Sequence, residues 1–331
     1  MVLRILLIGD TSGNPDEGMK KTGHKLSELL CSNRDINVAF ASVPEVLRNR
    51  ASFGRIDIIH YIAGPTWRSF LHVRLLKRFL GYNAKTIISF IHPHWSVLAS
   101  VFFRVFRPDA VIVQSVEWKH KCSRSGVLIS DDLLVGVDLD SFKPVPADER
   151  MRIRIRLSLP LDRKILLHVG HLNRGRNLLS MTGFQYNGNI LPVVIGSTTV
   201  RPDSKVVKAL KKAGVKVVYG YQENIEYFYQ TADCYVFPTV DPRSCAQVPL
   251  SVLEALACGT PVVSTRFEGL PIFLPGGFPG LTYLDDNDSI PQTVERVLSS
   301  GVKPDPTRLS KFSWDRIAAR LSVFYQKILA V

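Results

Sequence analysis

The sequence predicts an α/β protein built on two doubly wound parallel sheets, and three observations carry that expectation. Short apolar runs rich in β-branched residues alternate with helical patterns, and the alternation occurs twice along 331 residues. A Pro-containing polar stretch suited to a hinge, Phe142-Lys143-Pro144-Val145-Pro146-Ala147-Asp148, separates the two series. Within the second series, residues 234–265 spell one complete strand–loop–helix–strand unit. The expected domains are 1–146 and 147–311, facing across a cleft, with an amphipathic helix closing the chain over 312–331. A hydrophobic content of 46% with 21% charged residues is that of a globular chain, neither disordered nor fibrous.

The first series places strands at Leu3–Ile8, Asn37–Ala41, Ile56–Tyr61, Thr86–Phe90 and Ala110–Val113, with helical patterns between them over 18–31 and 67–81. The second places them at Lys164–Val169, Ile190–Ile195, Val215–Val218, Cys234–Phe237 and Pro261–Val263, separated by helices near 203–213, 223–231 and 250–258. In the last segment Ile317, Leu321, Phe324, Tyr325 and Ile328 share one helical face, with Ser313 as N-cap. No stretch approaches the roughly 20 consecutive apolar residues of a bilayer span. The start, MVLRILLIGD, runs into a glycine turn and reads as a first strand rather than a secretory leader. Cys31, Cys122, Cys234, Cys245 and Cys258 are scattered without metal-ligand spacing, which fits reduced thiols in the cytoplasm.

The net charge of +13 is unevenly spread. No acidic residue lies between Asp57 and Asp109, an interval holding Arg68, Arg74, Lys77, Arg78, Lys85, Arg104 and Arg107 among Trp67, Phe70, Trp95, Phe102, Phe103 and Phe106. Helices mixing cations with large apolar residues suit an anionic membrane surface, where aromatics enter the acyl boundary. Two other readings stand beside it. One is a core-packing helix with a basic rim or a basic cleft for an anionic substrate. The other is a nucleic-acid surface, which no helix-turn-helix, zinc or RNA-binding signature accompanies.

Function in such folds sits at the carboxyl ends of the strands. In the 234–265 unit a buried strand stops at Pro238, Pro249 and Ser251 open a helix, and Cys258-Gly259 closes it before Pro261. The helix start offers phosphate free N–H groups and a positive dipole end, and Glu254 one turn inside can accept two ribose hydroxyls. The alternative is a unit that only builds core, with Glu254 solvated. Gly13 and Gly18 in the loop after the first strand allow close ligand approach, although neither dinucleotide nor P-loop glycine spacing is present. His171, Arg174 and Arg176 crowd around Gly170 and Gly175 after the strand at 164–169, where arginine can hold a diphosphate. His92 ends a first-half strand; with His94 it lacks a third metal ligand, and a polar contact near a reacting centre fits it better. Asp233, Asp241 and Arg243 read as turn residues.

With these sites in place, the chain resembles GT-B glycosyltransferases of the retaining family 4 group. Asp57-Ile58-Ile59-His60 is similar to the family's D-[VI]-[VI]-H strand, and Ile87 to His92 to its T-x-H strand end. Gly136-Val137-Asp138 with Phe142 and Pro144 resembles N-G-V-D-x-x-x-F-x-P, and Val169 to Arg176 resembles V-G-R-L-x-x-x-K-G. Residues 246–263 resemble E-G-F-G-L-x-x-L-E-A-M-A-C-G-T-P-V-V, and Phe312-Ser313-Trp314 resembles the family's closing helix, which implies that 312–331 packs back on the first domain. The family's first glutamate falls on Ala246, its glycines on Gln247 and Pro249, and its arginine on His171.

The resemblance implies a donor domain that binds a UDP- or GDP-linked sugar with no cofactor and no metal. Glu254 would hold the ribose; Leu250 and Ser251 amides with Arg176 would hold the diphosphate; His171, Arg174, Gly13, Gly18, Gly196 and Tyr221 would line the donor site. His92 and Arg176 would act at the reacting centre, and the acceptor would be a lipid-linked glycan or polysaccharide at the cytoplasmic face of the membrane, with no nucleic-acid partner. Rival readings are a non-catalytic GT-B donor-binding or scaffold partner, favoured by Ala246 and His171, a nucleotide-sugar epimerase, and a nucleic-acid binder using 58–108.

Overall fold

Strand formation follows the apolar runs closely. The structure, a computed structural model, describes residues 2–12, 18–81, 83–91, 95–131, 133–184, 188–285 and 288–330. The chain divides into two compact units, one of Met1–Gly136, Ala246–Val248 and Trp314–Val331, the other of Val137–Cys245 and Pro249–Ser313.

The first unit is built on β1 (Leu3–Ile8), β2 (Ile36–Ala41), β3 (Ile58–Gly64), β4 (Lys85–Phe90), β5 (Ala110–Val113) and β6 (Leu128–Ser130), ordered β2-β1-β3-β4-β5-β6. All its pairings are parallel, as continuous apolar strands buried on both faces require. Between and beside them run α1 (Gly18–Cys31), α2 (Val43–Arg48), α3 (Trp67–Leu80), α4 (Val97–Val105) and α5 (Val116–Ser123). Thr66 caps α3 by accepting from the Ser69 N–H, and Ser96 caps α4 by accepting from Ala99. The aromatic residues of 67–106 mostly turn inward: Phe70 and Phe103 are buried with Phe90 and Trp118, and Trp95, Phe102 and Phe106 pack against that cluster. This departs from the expected aromatic membrane face. Edge-to-face packing in a core outcompetes exposure whenever a sheet lies within reach.

The second unit uses β7 (Lys164–Gly170), β8 (Ile190–Gly196), β9 (Lys216–Tyr219), β10 (Cys234–Phe237), β11 (Val262–Ser264) and β12 (Leu281–Tyr283), ordered β12-β11-β10-β7-β8-β9 and again parallel throughout. Strand order reverses between β7 and β10, which makes their carboxyl ends the switch point where open α/β sheets bind ligands. Its helices are α6 (Ala147–Arg156), α7 (Ser204–Lys212), α8 (Glu226–Thr231), α9 (Leu250–Ala257), α10 (Leu270–Phe273) and α11 (Ile290–Ser300). The three-residue edge strands β6 and β12 carry too few residues to show a period in sequence, and neither was expected.

Asp233 is more than a turn residue. It accepts from the Ile165 N–H at 2.7 Å and from Arg154 at 2.6 Å and Arg150 at 3.1 Å, and both arginines also bond the last carbonyls of α8. Burial pushes the Asp233 carboxyl up, but the Ile165 amide and the two guanidiniums outweigh it and hold it below the usual range. These bonds tie α6 to the root of β10.

The final helix, α12 (Trp314–Ala330), belongs to the first unit, with Ile317, Leu321 and Tyr325 fully buried. His60 of β3 anchors it: Nδ1 meets the Tyr325 hydroxyl at 2.8 Å and Nε2 meets Ser89 Oγ at 2.6 Å. Burial drives this histidine down to about 3, so it is neutral. Among the described residues no helix is long and apolar enough to cross a membrane.

Candidate functional site

The polar residues of the second unit gather at the switch point. β7 ends at Gly170, where an added Cβ would lie 2.9 Å from Arg176 Nη1 and 3.2 Å from His168 Nε2. Glycine there lets the Arg176 guanidinium lie across the strand end. A 3₁₀ turn over Arg174–Arg176 sets the approach, with the Asn173 side chain accepting from the Arg176 N–H at 3.1 Å. Arg176 Nε donates to the Ser244 carbonyl at 2.8 Å, and the guanidinium carbon lies 5.9 Å from the Phe237 ring centre. The residue is 6% exposed, and among the described residues no carboxylate pairs with it. A buried cation without an anion is costly to keep, so its presence points to an anionic ligand.

His168, inside β7, was not singled out by sequence, because it sits within an apolar run. It is fully buried, its Nδ1 donates to the Val236 carbonyl at 2.8 Å, and its Nε2 has no partner. Burial first, and the Arg176 charge second, drive it down to about 3. Its ring stacks on Tyr235 and Phe237, with centroids 6.0 and 6.3 Å away.

α9 starts after Pro249 with no side-chain cap on its first amides, so the N–H groups near Leu250 and Ser251 remain for another acceptor. The Ser251 side chain bonds the Tyr235 phenol, which also reaches the Val169 carbonyl at 3.4 Å. Glu254 is 6% exposed and accepts from the Tyr229 hydroxyl at 2.8 Å. Burial and then the Glu254 charge raise the Tyr229 phenol, which keeps its proton and its donor role. Tyr229 and Tyr235 lie 5.6 Å apart, linking the Glu254 side of the site to the His168 side. Glu254 is therefore held in place rather than solvated, and Arg176, Ser251 and Glu254 share one end of the sheet.

Other expected residues stand apart from this group. Arg174 is exposed and pairs with Asp203 at 3.1 Å, the N-cap of α7. His171 is half-buried on the same loop. Gly196 ends β8, where a Cβ would lie 2.6 Å from Leu172, so its small size serves packing. Tyr221 is exposed just beyond β9. In the first unit Gly18 opens α1 and accepts from the Thr22 hydroxyl. Gly13 and His92 lie outside the described residues. Gln247 was noted only as a departure from a motif. Its N–H donates to the Ile91 carbonyl at 3.0 Å, and its fully buried carboxamide has no partner on either atom. Among the described residues no group of three or more His, Cys, Asp or Glu is placed to hold a metal ion.

Residues 183–300 match the family model described as glycosyl transferases group 1. A D-inositol 3-phosphate glycosyltransferase of Streptomyces bingchenggensis is 28% identical over 223 residues, covering 59% of this chain and 47% of that protein. The sulfoquinovosyl transferase SQD2 of Arabidopsis thaliana is 24% identical, covering 78% and 48%. The chain thus spans about half the length of the curated relatives it matches. Among solved structures, sucrose-phosphate synthase from Thermosynechococcus elongatus superposes with a TM-score of 0.77 at 16% identity, covering 99% of both chains. Anabaena HepE in complex with UDP and glucose gives 0.72 at 14%, covering 98% of this chain and 100% of that one. The fold is GT-B. The group 1 match spans α11 and all of the α9 unit, so it includes Ser251 and Glu254, while Arg176 lies just ahead of it.

Proposed function

We propose that this GT-B chain is a retaining glycosyltransferase that takes a sugar from a nucleotide-diphosphate donor held by the second unit and passes it to a lipid-linked or polysaccharide acceptor. The observation that carries the reading is Arg176, a buried guanidinium that no carboxylate pairs among the described residues, at the switch point shared with an α9 N-terminus that has no side-chain cap. The likeness to a protein whose structure holds UDP and glucose, and to relatives named glycosyltransferases, supports it.

The donor diphosphate would lie between Arg176 and the first amides of α9, where charge-assisted bonds and the helix dipole favour it. Glu254, oriented by Tyr229, would accept the two ribose hydroxyls. In the transfer step the acceptor oxygen bonds the anomeric carbon while the bond from that carbon to the phosphate oxygen breaks. Attack on the same face retains the configuration, and the departing phosphate oxygen takes the acceptor proton. Arg176 then stabilises the charge that develops on the leaving diphosphate, in a dry site where such contacts count most. This reading assigns the neutralisation to Arg176 and the helix, with no metal or cofactor.

The test is thermal unfolding of purified protein with UDP-, GDP- and ADP-sugars, followed by transfer and donor hydrolysis with the sugar that protects. Arg176→Ala should weaken diphosphate-bearing ligands about thirtyfold or more and the bare nucleoside hardly at all. Glu254→Ala should weaken nucleoside and nucleotide sugar alike. Equal losses for all ligands in Arg176→Ala would remove the diphosphate assignment. Ala246, in the place of the family's first glutamate, favours a second reading as a non-catalytic donor-binding partner; donor protection without turnover would select it.

A further inference from the structure

The first unit carries an exposed face that its own packing leaves unexplained. α4 buries Ala99 and Phe103 and turns Val97, Leu98, Val101 and Val105 outward, at 84%, 47%, 48% and 65% exposure. These four positions follow helical spacing and form one aliphatic stripe. Leu75 of the neighbouring α3 adds 49% exposure. Four or five scattered aliphatics would be ordinary; a stripe along one helix is a surface.

The stripe is set among cations. Arg68, Arg74 and Arg78 are exposed on α3, and Arg104 and Arg107 on and just after α4. No carboxylate occurs between Asp57 and Asp109. The acids bordering the interval are already engaged: Asp109 with Lys77 and Thr86, Glu117 with Lys121, and Asp131 with Lys119. Among the described residues Arg74 and Arg104 pair with no carboxylate.

We infer that this α3–α4 face docks on an anionic lipid bilayer, with the valine stripe at the acyl boundary and the arginines among the headgroups. Charge and shape together select this occupant. A second copy would bring two cationic faces together, which repel. A nucleic acid would satisfy the arginines but leave the valines wet, whereas an anionic bilayer takes both. Phe70, Phe90 and Phe103 of the same interval are buried in the core beneath and do not take part in insertion. The inference stands on the first unit alone, so it holds or fails independently of the donor site.

The experiment is co-sedimentation of the purified chain with phosphatidylcholine vesicles, and with vesicles mixing phosphatidylcholine and phosphatidylglycerol. The wild type should bind the anionic vesicles and bind them less as salt rises. The triple variant Val97→Ser, Val101→Ser, Val105→Ser should lose about tenfold or more in partitioning, and Arg74→Gln with Arg104→Gln about thirtyfold. The thermal unfolding midpoint of each variant, measured alongside, should match the wild type, since all these positions are exposed. Three results overturn the inference: no binding of wild type to anionic vesicles, serine-variant binding equal to wild type, or a wild-type dimer that the serine variant converts to monomer. Tighter binding of duplex DNA than of vesicles, unaffected by the serine changes, would assign the face to nucleic acid instead.

Discussion

Two buried histidines, one in each sheet, differ in a way that separates structure from function. His60 of β3 has both ring nitrogens occupied, by Tyr325 and Ser89, and so fastens α12 to the first unit. His168 of β7 has one nitrogen occupied, by the Val236 carbonyl, and its other lies beside Gly170 and the Arg176 guanidinium with no partner. Both are neutral for the same reason, burial, and both are driven to about 3. The first network is complete in itself. The second leaves a polar atom unmet where the strand order reverses, beside a buried cation, and such an atom is open to a water or a ligand.

The largest consequence tests what the two share. Their ordinary value is 6.5 and their folded value about 3, so below pH 6.5 the unfolded chain binds protons that the folded chain refuses. Their contribution is fully present above pH 6.5 and is lost as pH falls toward the folded value, at about 1.4 kcal/mol per pH unit for each histidine. Denaturant titrations between pH 6 and 4 should show this slope, and His60→Gln should remove about half of it. A slope untouched by that change would mean that His60 is protonated in the fold.

The next expectation separates the two. His60→Ala leaves a cavity and strands the Tyr325 and Ser89 hydroxyls, and should cost about 3 kcal/mol of stability with nucleotide-sugar affinity unchanged. Arg176→Met should do the reverse: ligand affinity falls by about 2 kcal/mol, while the free protein is as stable as wild type or slightly more so, since a buried unpaired cation has gone. Isothermal titration with UDP, read beside urea unfolding, compares the two variants directly. Matching losses of stability and affinity in both would erase the distinction between a lock and a site. The smallest effect concerns support for Glu254. Tyr229→Phe removes one hydrogen bond to a buried carboxylate and should lower second-unit stability by about 1–2 kcal/mol, seen as a modest shift of the urea midpoint.

Much of the site could be read from residue types at strand ends. Glu254 and Arg176 stand where a βα turn and a glycine-rich loop placed them, because the strand-to-helix transition is a local matter of apolar runs, prolines and glycines. His168 was not legible, since it lies inside an apolar strand, where an isolated polar residue looks like any core exception; Tyr229 was not, since nothing in the mixed aromatic and polar run of α8 marks which side chain meets Glu254. The aromatics of 67–106 were legible as a group but not in direction: a helix whose wheel mixes large apolar and cationic residues can present either to the sheet.

The sequence by itself determined the two parallel sheets, their order of elements and the carboxyl-end loops, because period, turn chemistry and β-branching act over a few residues. Tertiary structure alone decided which polar groups were paired and which left open. That α4 shows valines to solvent while Phe103 beside them is hidden, and that Arg176 has no anion among the described residues whereas Arg150 and Arg154 share Asp233, are outcomes of contacts between segments far apart in the chain. Burial and pairing are properties of such contacts, and no local pattern encodes them.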